Sequence, residues 1–509
     1  MMIKVILLVI FFAVMVAVGI YSRKHAMSVD GFVLGGRSVG PWLTAFAYGT
    51  SYFSAVVFVG YAGQFGWKYG LASTWIGIGN AVIGSLMAWV VLGRRTKVMT
   101  QYLNSKTMPD FFGSRYGSKP LKIAASAIVF VFLVPYTASI YNGLSRLFEM
   151  AFHIPYAWCV IGMAVFTGIY VILGGYMATA INDFIQGIIM LAGIIVVIAA
   201  VLNGQGGFLE AVGRMAEIPS DVEITLGQPG AFTSFFGPDP GNLLGVVILT
   251  SLGTWGLPQM IGKFYAIKDE KSINTGTVIS TVFAIVVSGG CYFLGGFARL
   301  FDAPAIYDEA GAVVYDSIIP HMLSALPDIL IGIVVVLVLS ASMSTLASLV
   351  LTSSSTLTLD FLKDNLLKEM SEKRQVRTMQ ALVIFFIAVS IFIALDPPTF
   401  IAQLMGISWG ALAGAFLAPF LYGLYWKGTT RAGVWASFIV GVGITVVNMF
   451  MPFIESSINA GAAAMVAGLI VVPVVSLITP KLSREKTDAI FSCYEEKVTI
   501  TKKRSLEQN

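Results

Sequence analysis

The chain has 509 residues, is 57% apolar with a mean hydropathy of +0.82, and carries only 12% charged residues, about half the share of a soluble domain. That excludes a soluble enzyme or a freestanding binding module, and the net charge of +5 reads as membrane orientation, with nothing that points to nucleic acid. Cys159, Cys291 and Cys493 are isolated, so neither a disulfide framework nor a metal-ligand spacing is present.

A helix needs about 20 apolar residues to cross the hydrocarbon, and windows of that size recur along the whole chain. About thirteen spans are expected, over residues 3–22, 42–64, 71–92, 123–148, 156–178, 183–201, 242–264, 276–298, 329–359, 378–395, 399–425, 432–450 and 461–478. The first is followed by Arg23-Lys24-His25 and shows no small-residue cleavage site, so it is read as a retained helix with its N-terminus outside. Thirteen crossings from that start put most of the 32 Lys and Arg in the cytoplasm, including "GRRTK" at 93–97, "SEKRQVR" at 371–377 and the tail from Lys481. Acidic loops at 207–224 and 301–317 then lie outside. The expectation is a plasma-membrane, multi-pass protein with one transmembrane domain over 1–480. Its cytoplasmic tail, 481–509, is too short to bury a core of its own.

Two spans carry interruptions. "FAYGTSYFSAVVFVGYAG" (46–63) is expected to break at Gly49-Thr50-Ser51, and "LTSLGTWGLPQMIGKF" (249–264) at Gly253-Thr254-Trp255-Gly256 before Pro258. Each opens a group of five spans, about 42–201 and about 242–425, and an odd number per group inverts one group relative to the other. Breaks at matching places in two inverted groups point to a transporter that binds solute and ions there. Close helix packing would use the same glycines.

The span at 329–359 runs into "SASMSTLASLVLTSSSTLTLD" (340–360), with eleven Ser and Thr. At 100° per residue, Ser344, Thr345, Ser348, Thr352, Ser355 and Thr356 share about a third of the helix surface. A hydroxyl in a span can fold back onto its own helix, which suits Ser353 and Ser354. A continuous polar face instead suits water or a hard monovalent cation, whose ligands are neutral hydroxyl and carbonyl oxygens.

These motifs resemble the sodium/solute symporter family, which includes sodium/proline, sodium/sialic acid and sodium/sugar carriers. The likeness runs from about Ser28 to Trp426, through "LTAFAYGTSYFS" (43–54), "MPDFFGSRYG" (108–117), "YVILGGYMATAINDFIQG" (170–187), "GTWGLPQMIGKFYA" (253–266) and "ASMSTLASLVLTSSSTLTLD" (341–360). It implies an all-α polytopic membrane protein with a leucine-transporter-like five-plus-five inverted repeat, one extra N-terminal helix and two extra C-terminal ones. It implies sodium as the coupled ion, held by carbonyls of Thr50, Phe53 and Ala341 and hydroxyls of Ser344 and Thr345. Asp183 falls where the family has an acidic residue tied to a second sodium or to the exit path; a carboxylate at a helix start is the plainer reading. A substrate cavity lined by Tyr52, Ser54, Thr74, Tyr136, Ser251, Trp255, Gln259 and Gln403 is also implied, as are a bacterial inner membrane and a monomeric functional unit.

Departures bear on the solute. Tyr52 stands where proline carriers have Asp. Thr74, Tyr136 and Thr254 stand where sugar carriers have Glu, Asn and a gating Tyr, and Tyr176 stands where the Gly-Gly signature region usually has a narrower set of residues. With no Lys or Arg in the implied cavity, a carboxylate would rely on the amides of a broken helix. Three aromatics suit a compact amino acid or short organic acid, although each alone would suit helix packing. Arg146 and Glu149, three apart, read as an intrahelical pair. One sodium entering through 100 mV gains about 2.3 kcal/mol, and a tenfold gradient adds about 1.4. That supports accumulation of a neutral solute on the order of 500-fold, but of a monoanion only about tenfold, because the electrical part cancels. The leading expectation is therefore sodium-coupled symport of a small organic solute by alternating access. A proton-coupled symporter of the same fold with Asp183 titrating, or a sodium/sugar symporter, stands as the alternative. An enzyme is not expected, since His25, His153 and His321 lie in or near loops.

Overall fold

The computed structural model describes residues 2–495 except 153, 368 and 397–400. His153, residues 399 and 400 of the eleventh expected span and the tail beyond 495 lie outside the described residues, as does the side chain of Arg146. Among the described residues eleven helices are long and apolar enough to cross a membrane. The remaining regular pairing there is two isolated β-bridges, Val39–Ile267 and Tyr307–Val313.

Two of the eleven helices, Val56–Tyr102 and Tyr156–Gly204, have 47 and 49 residues. Straight, each would run about 70 Å, more than twice a hydrocarbon core. Both turn at a glycine in the same conformation: Gly70 at φ +57°, ψ −139° and Gly175 at φ +53°, ψ −144°. A side chain would be strained there, so glycine lets the chain kink sharply within a continuous apolar sequence.

The two interrupted helices are present. The first runs from Pro41 to Tyr52, leaves helical geometry at Phe53 (φ −105°, ψ 86°) and resumes at Ala55. That break lies beyond the expected Gly49-Thr50-Ser51. Gly49 stays helical and serves packing, because Phe283 leaves no room for a Cβ. The second runs from Pro240 to Leu252, tightens over Gly253–Trp255, is extended at Leu257 (φ −85°, ψ 121°) and resumes at Pro258–Ala266. Here the break falls where expected, with Pro258 in the first turn of the new helix, where its missing N–H costs nothing.

The hydroxyl-rich helix Asp328–Thr356 packs against Tyr156–Gly204, the helix Lys119–Phe152 and Pro41–Tyr52. In Ile401–Tyr425, 89% of the most apolar stretch is buried, against 22% in the N-terminal helix. The former is central and the latter peripheral, with most of its surface left for lipid. A long loop closes one end of the bundle. Arg299 anchors it with paired bonds to Asp221 at 2.8 and 2.7 Å and by stacking on Trp67 and Phe232. The C-terminal helix Arg484–Phe491 docks on the opposite end, where Arg115 and Lys427 lie against the Phe491 ring.

Candidate functional site

The break at Phe53 decides what Thr50 can do. Because the chain turns out of the helix, the Thr50 carbonyl accepts from two side chains of the hydroxyl-rich helix, Ser344 Oγ at 3.2 Å and Thr345 Oγ1 at 3.1 Å. The same hydroxyls also contact the Ala341 carbonyl, at 3.2 and 3.1 Å. Four of the five residues expected to hold sodium thus converge, with two carbonyl and two hydroxyl oxygens. Phe53 supplies the bend itself, its N–H donating to the Gly49 carbonyl. All of these residues are buried. Each hydroxyl can turn its hydrogen away and offer a lone pair, so the set fits a hard monovalent cation without a fixed charge.

One turn further along the same face, Ser348 meets Ser51 at 2.8 Å and the ammonium of Lys263 at 2.9 Å. Lys263 lies 3.8 Å from a carboxylate oxygen of Asp183, with both side chains buried, and 5.3 Å from the centre of the Tyr176 ring. Asp183 is therefore neither a helix-start carboxylate nor a solvent-facing one: it sits inside Tyr156–Gly204 beside a buried cation. Thr352, Ser355 and Thr356 continue the face into a cavity of about 40 Å3 shared with Tyr176, Gln259 and Lys263. Ser354 folds back onto the Leu351 carbonyl as expected, whereas the buried Ser353 hydroxyl has no partner among the described residues.

The residues expected around the solute divide. Tyr52 donates to the Thr250 carbonyl at 2.6 Å and stacks on Phe53. Trp255 donates to the Ile83 carbonyl at 3.0 Å. Tyr136 faces Ser54 and packs edge-on against Trp409, which also lies 6.1 Å from Tyr52. Gln259 is buried with both amide atoms unpartnered among the described residues, as is the Trp409 indole N–H. Burying such groups unpaired costs about 1–3 kcal/mol each. Ser251 is committed elsewhere, to Asn80 and through it to Ser288. Thr74 is not brought to the others and lines a shallow apolar groove with Ile78, Val82, Ile285 and Phe293. Gln403 lies at the edge of a cavity of about 570 Å3 with Gln64, Lys68, Asp239, Asn242 and Glu455.

Gln403 thus borders a large cavity and Gln259 a small one. Beyond the small cavity Thr107 donates to Asp360 at 2.5 Å, and Lys122 bridges Asp110, Asp360 and Asp364 at 2.8, 3.3 and 2.7 Å. Neither this plug, nor Lys263, nor Trp409 was among the expected site residues. For Lys263 a signal existed, since an ionisable residue inside an apolar span is a functional candidate by default.

The family model of the sodium:solute symporter family matches residues 32–441. Sodium/proline symporters of Staphylococcus aureus, strains JH9 and COL among them, are 29% identical over 500 residues, covering 94% of this chain and 93% of theirs. The solved structure of a Na+-coupled sialic acid symporter in a substrate-bound outward-open state superposes with a TM-score of 0.75 at 14% identity, covering 95% of this chain and 99% of that one. Mhp1, a nucleobase-cation-symport-1 family transporter, gives 0.50 at 16% identity, covering 90% and 97%. The chain belongs to the sodium:solute symporter family, as a multi-pass membrane protein whose coupled ion is sodium.

Proposed function

We propose that this protein imports a small amino acid or similar compact solute together with sodium, by alternating access. The observation that carries this reading is the convergence of the Thr50 and Ala341 carbonyls with the Ser344 and Thr345 hydroxyls, at 3.1 to 3.2 Å. Sodium binds there, with Phe53 shaping the break. The solute sits between Tyr52, Ser54, Tyr136, Trp255 and Gln259, with Trp409 as a further wall, and enters past Gln403. A sodium ion on one side of the first break and a solute on the other would both stabilise the same conformation of that break, which is how binding of one favours binding of the other.

Thirteen crossings are the reading that fits helices of 47 and 49 residues folded at Gly70 and Gly175. They form repeats over about 42–201 and 242–425 with one helix before and two after. Charge places the N-terminus and the large cavity outside, and the C-terminus and the Lys122 plug in the cytoplasm of a bacterial cell. An amino acid is favoured over a sugar because relatives spanning nearly the whole chain are proline symporters, and because Tyr136 and Thr254 stand at positions where sugar carriers have polar or gating groups. A thermal-shift screen of the purified chain against proline, other amino acids, short carboxylates, sialic acids and sugars, with and without sodium, tests this. A ligand that stabilises in sodium and not in choline is expected; equal stabilisation in both salts would overturn the coupling.

A further inference from the structure

Below the Thr50 cluster the structure has a second place built for a cation, and a side chain already fills it. Four segments contribute to one buried chain of polar contacts: Ser51 from the first interrupted helix meets Ser348 from the hydroxyl-rich helix, which meets Lys263 from Pro258–Ala266, which meets Asp183 from Tyr156–Gly204. Two hydroxyls and a carboxylate are the oxygen set a hard cation takes. Here the ammonium of Lys263 stands among them, 2.9 Å from Ser348 and 3.8 Å from Asp183, with the face of Tyr176 behind it. The lysine is held in place by the fold: the Val39–Ile267 bridge ties the chain immediately after its helix, with Val39 N–H to the Ala266 carbonyl at 3.2 Å and Lys268 N–H to the Val39 carbonyl at 2.9 Å.

Resting on the sodium site proposed above, we infer that Lys263 is a tethered replacement for a second sodium, so that the cycle carries one sodium per solute. A mobile cation entering beside Asp183 would meet the ammonium at close range in a low dielectric, and the two would repel strongly. Without the lysine, the buried Asp183 carboxylate, whose oxygens have no hydrogen-bond partner among the described residues, would need a cation from solution. The consequence reaches the substrate. One sodium supports accumulation of a neutral or zwitterionic solute on the order of 500-fold, but of a monoanion only about tenfold. The stoichiometry set by Lys263 therefore fits an amino acid zwitterion and disfavours a simple carboxylate.

Equilibrium binding of 22Na+ to the purified full-length chain, with choline holding ionic strength, tests this without knowledge of the solute. The wild type is expected to bind one sodium per chain with a Hill coefficient of one, and Thr345→Ala to bind it about tenfold more weakly. Lys263→Ser is expected to bind two, and Lys263→Ser combined with Asp183→Asn to return to one; Lys263→Ala serves for the same count if the serine variant is not recovered folded. Two sodium ions on the wild type, or one on a folded Lys263→Ser chain, would overturn the inference while leaving the Thr345 site intact. No binding by the wild type would overturn both. A wild-type count of two overturns the inference without any variant.

Discussion

Ser344 and Ser348 are one turn apart on the same helix face and keep different company. Ser344, with Thr345, meets carbonyl oxygens, all of them neutral. Ser348 meets a buried ammonium that is itself beside a carboxylate. Neutral oxygens compensate a cation's hydration only in part, which suits an ion that must arrive and leave within each cycle. A full negative charge opposite a tethered positive one makes a pair that stays. On the proposed reading one stripe of hydroxyls serves an exchangeable ion at one level and a resident charge at the next, and what separates them is the neighbour each turn is given.

The largest expected effect breaks the resident end. Asp183→Asn leaves the Lys263 ammonium buried without a counter-charge, and removing one partner of a buried pair costs about 3–5 kcal/mol. Its thermal midpoint and folded yield should fall sharply, and Asp183→Asn combined with Lys263→Met should recover most of the loss. A single variant as stable as the wild type would mean that the two side chains do not interact. Next comes the wall of the solute site. A Cβ on Gly84 would lie 2.2 Å from the Tyr52 hydroxyl, so Gly84→Ala must push that ring off the Thr250 carbonyl. A strain of about 1–3 kcal/mol should appear as a lowered thermal midpoint and weaker solute binding.

At the exchangeable end Ser344→Ala removes one neutral ligand, and about 1 kcal/mol predicts a half-saturating sodium concentration raised roughly fivefold, read in proteoliposome uptake. The smallest effect is expected at Thr74. Its place in an outer groove predicts that Thr74→Ala changes stability by less than about 0.5 kcal/mol and leaves uptake unaltered; a large loss would return it to the solute site.

Much of this was legible from residue order. Apolar windows marked the helices, and Gly253-Thr254-Trp255-Gly256 with Pro258 marked the second break. The family likeness placed Thr50, Ala341, Ser344 and Thr345 together. The first break was misplaced because Gly49 reads as a hinge but packs against Phe283. Lys263 lies inside the expected span 242–264 and was not singled out, and sequence does not show that Val39 pairs across the chain just beyond it. Trp409 carries no motif that singles it out, and it is a helix buried on nearly every side that sets it against both Tyr52 and Tyr136.

The central claim is that sodium is held between the Thr50 and Ala341 carbonyls and the Ser344 and Thr345 hydroxyls. A sodium titration of thermal stability on wild type and Thr345→Ala, with choline keeping ionic strength fixed, addresses it directly. The wild-type midpoint should rise with sodium and not with potassium, and the Thr345→Ala curve should shift to about tenfold higher sodium, the equivalent of about 1.4 kcal/mol. Superimposed curves, or equal stabilisation by potassium, would contradict it.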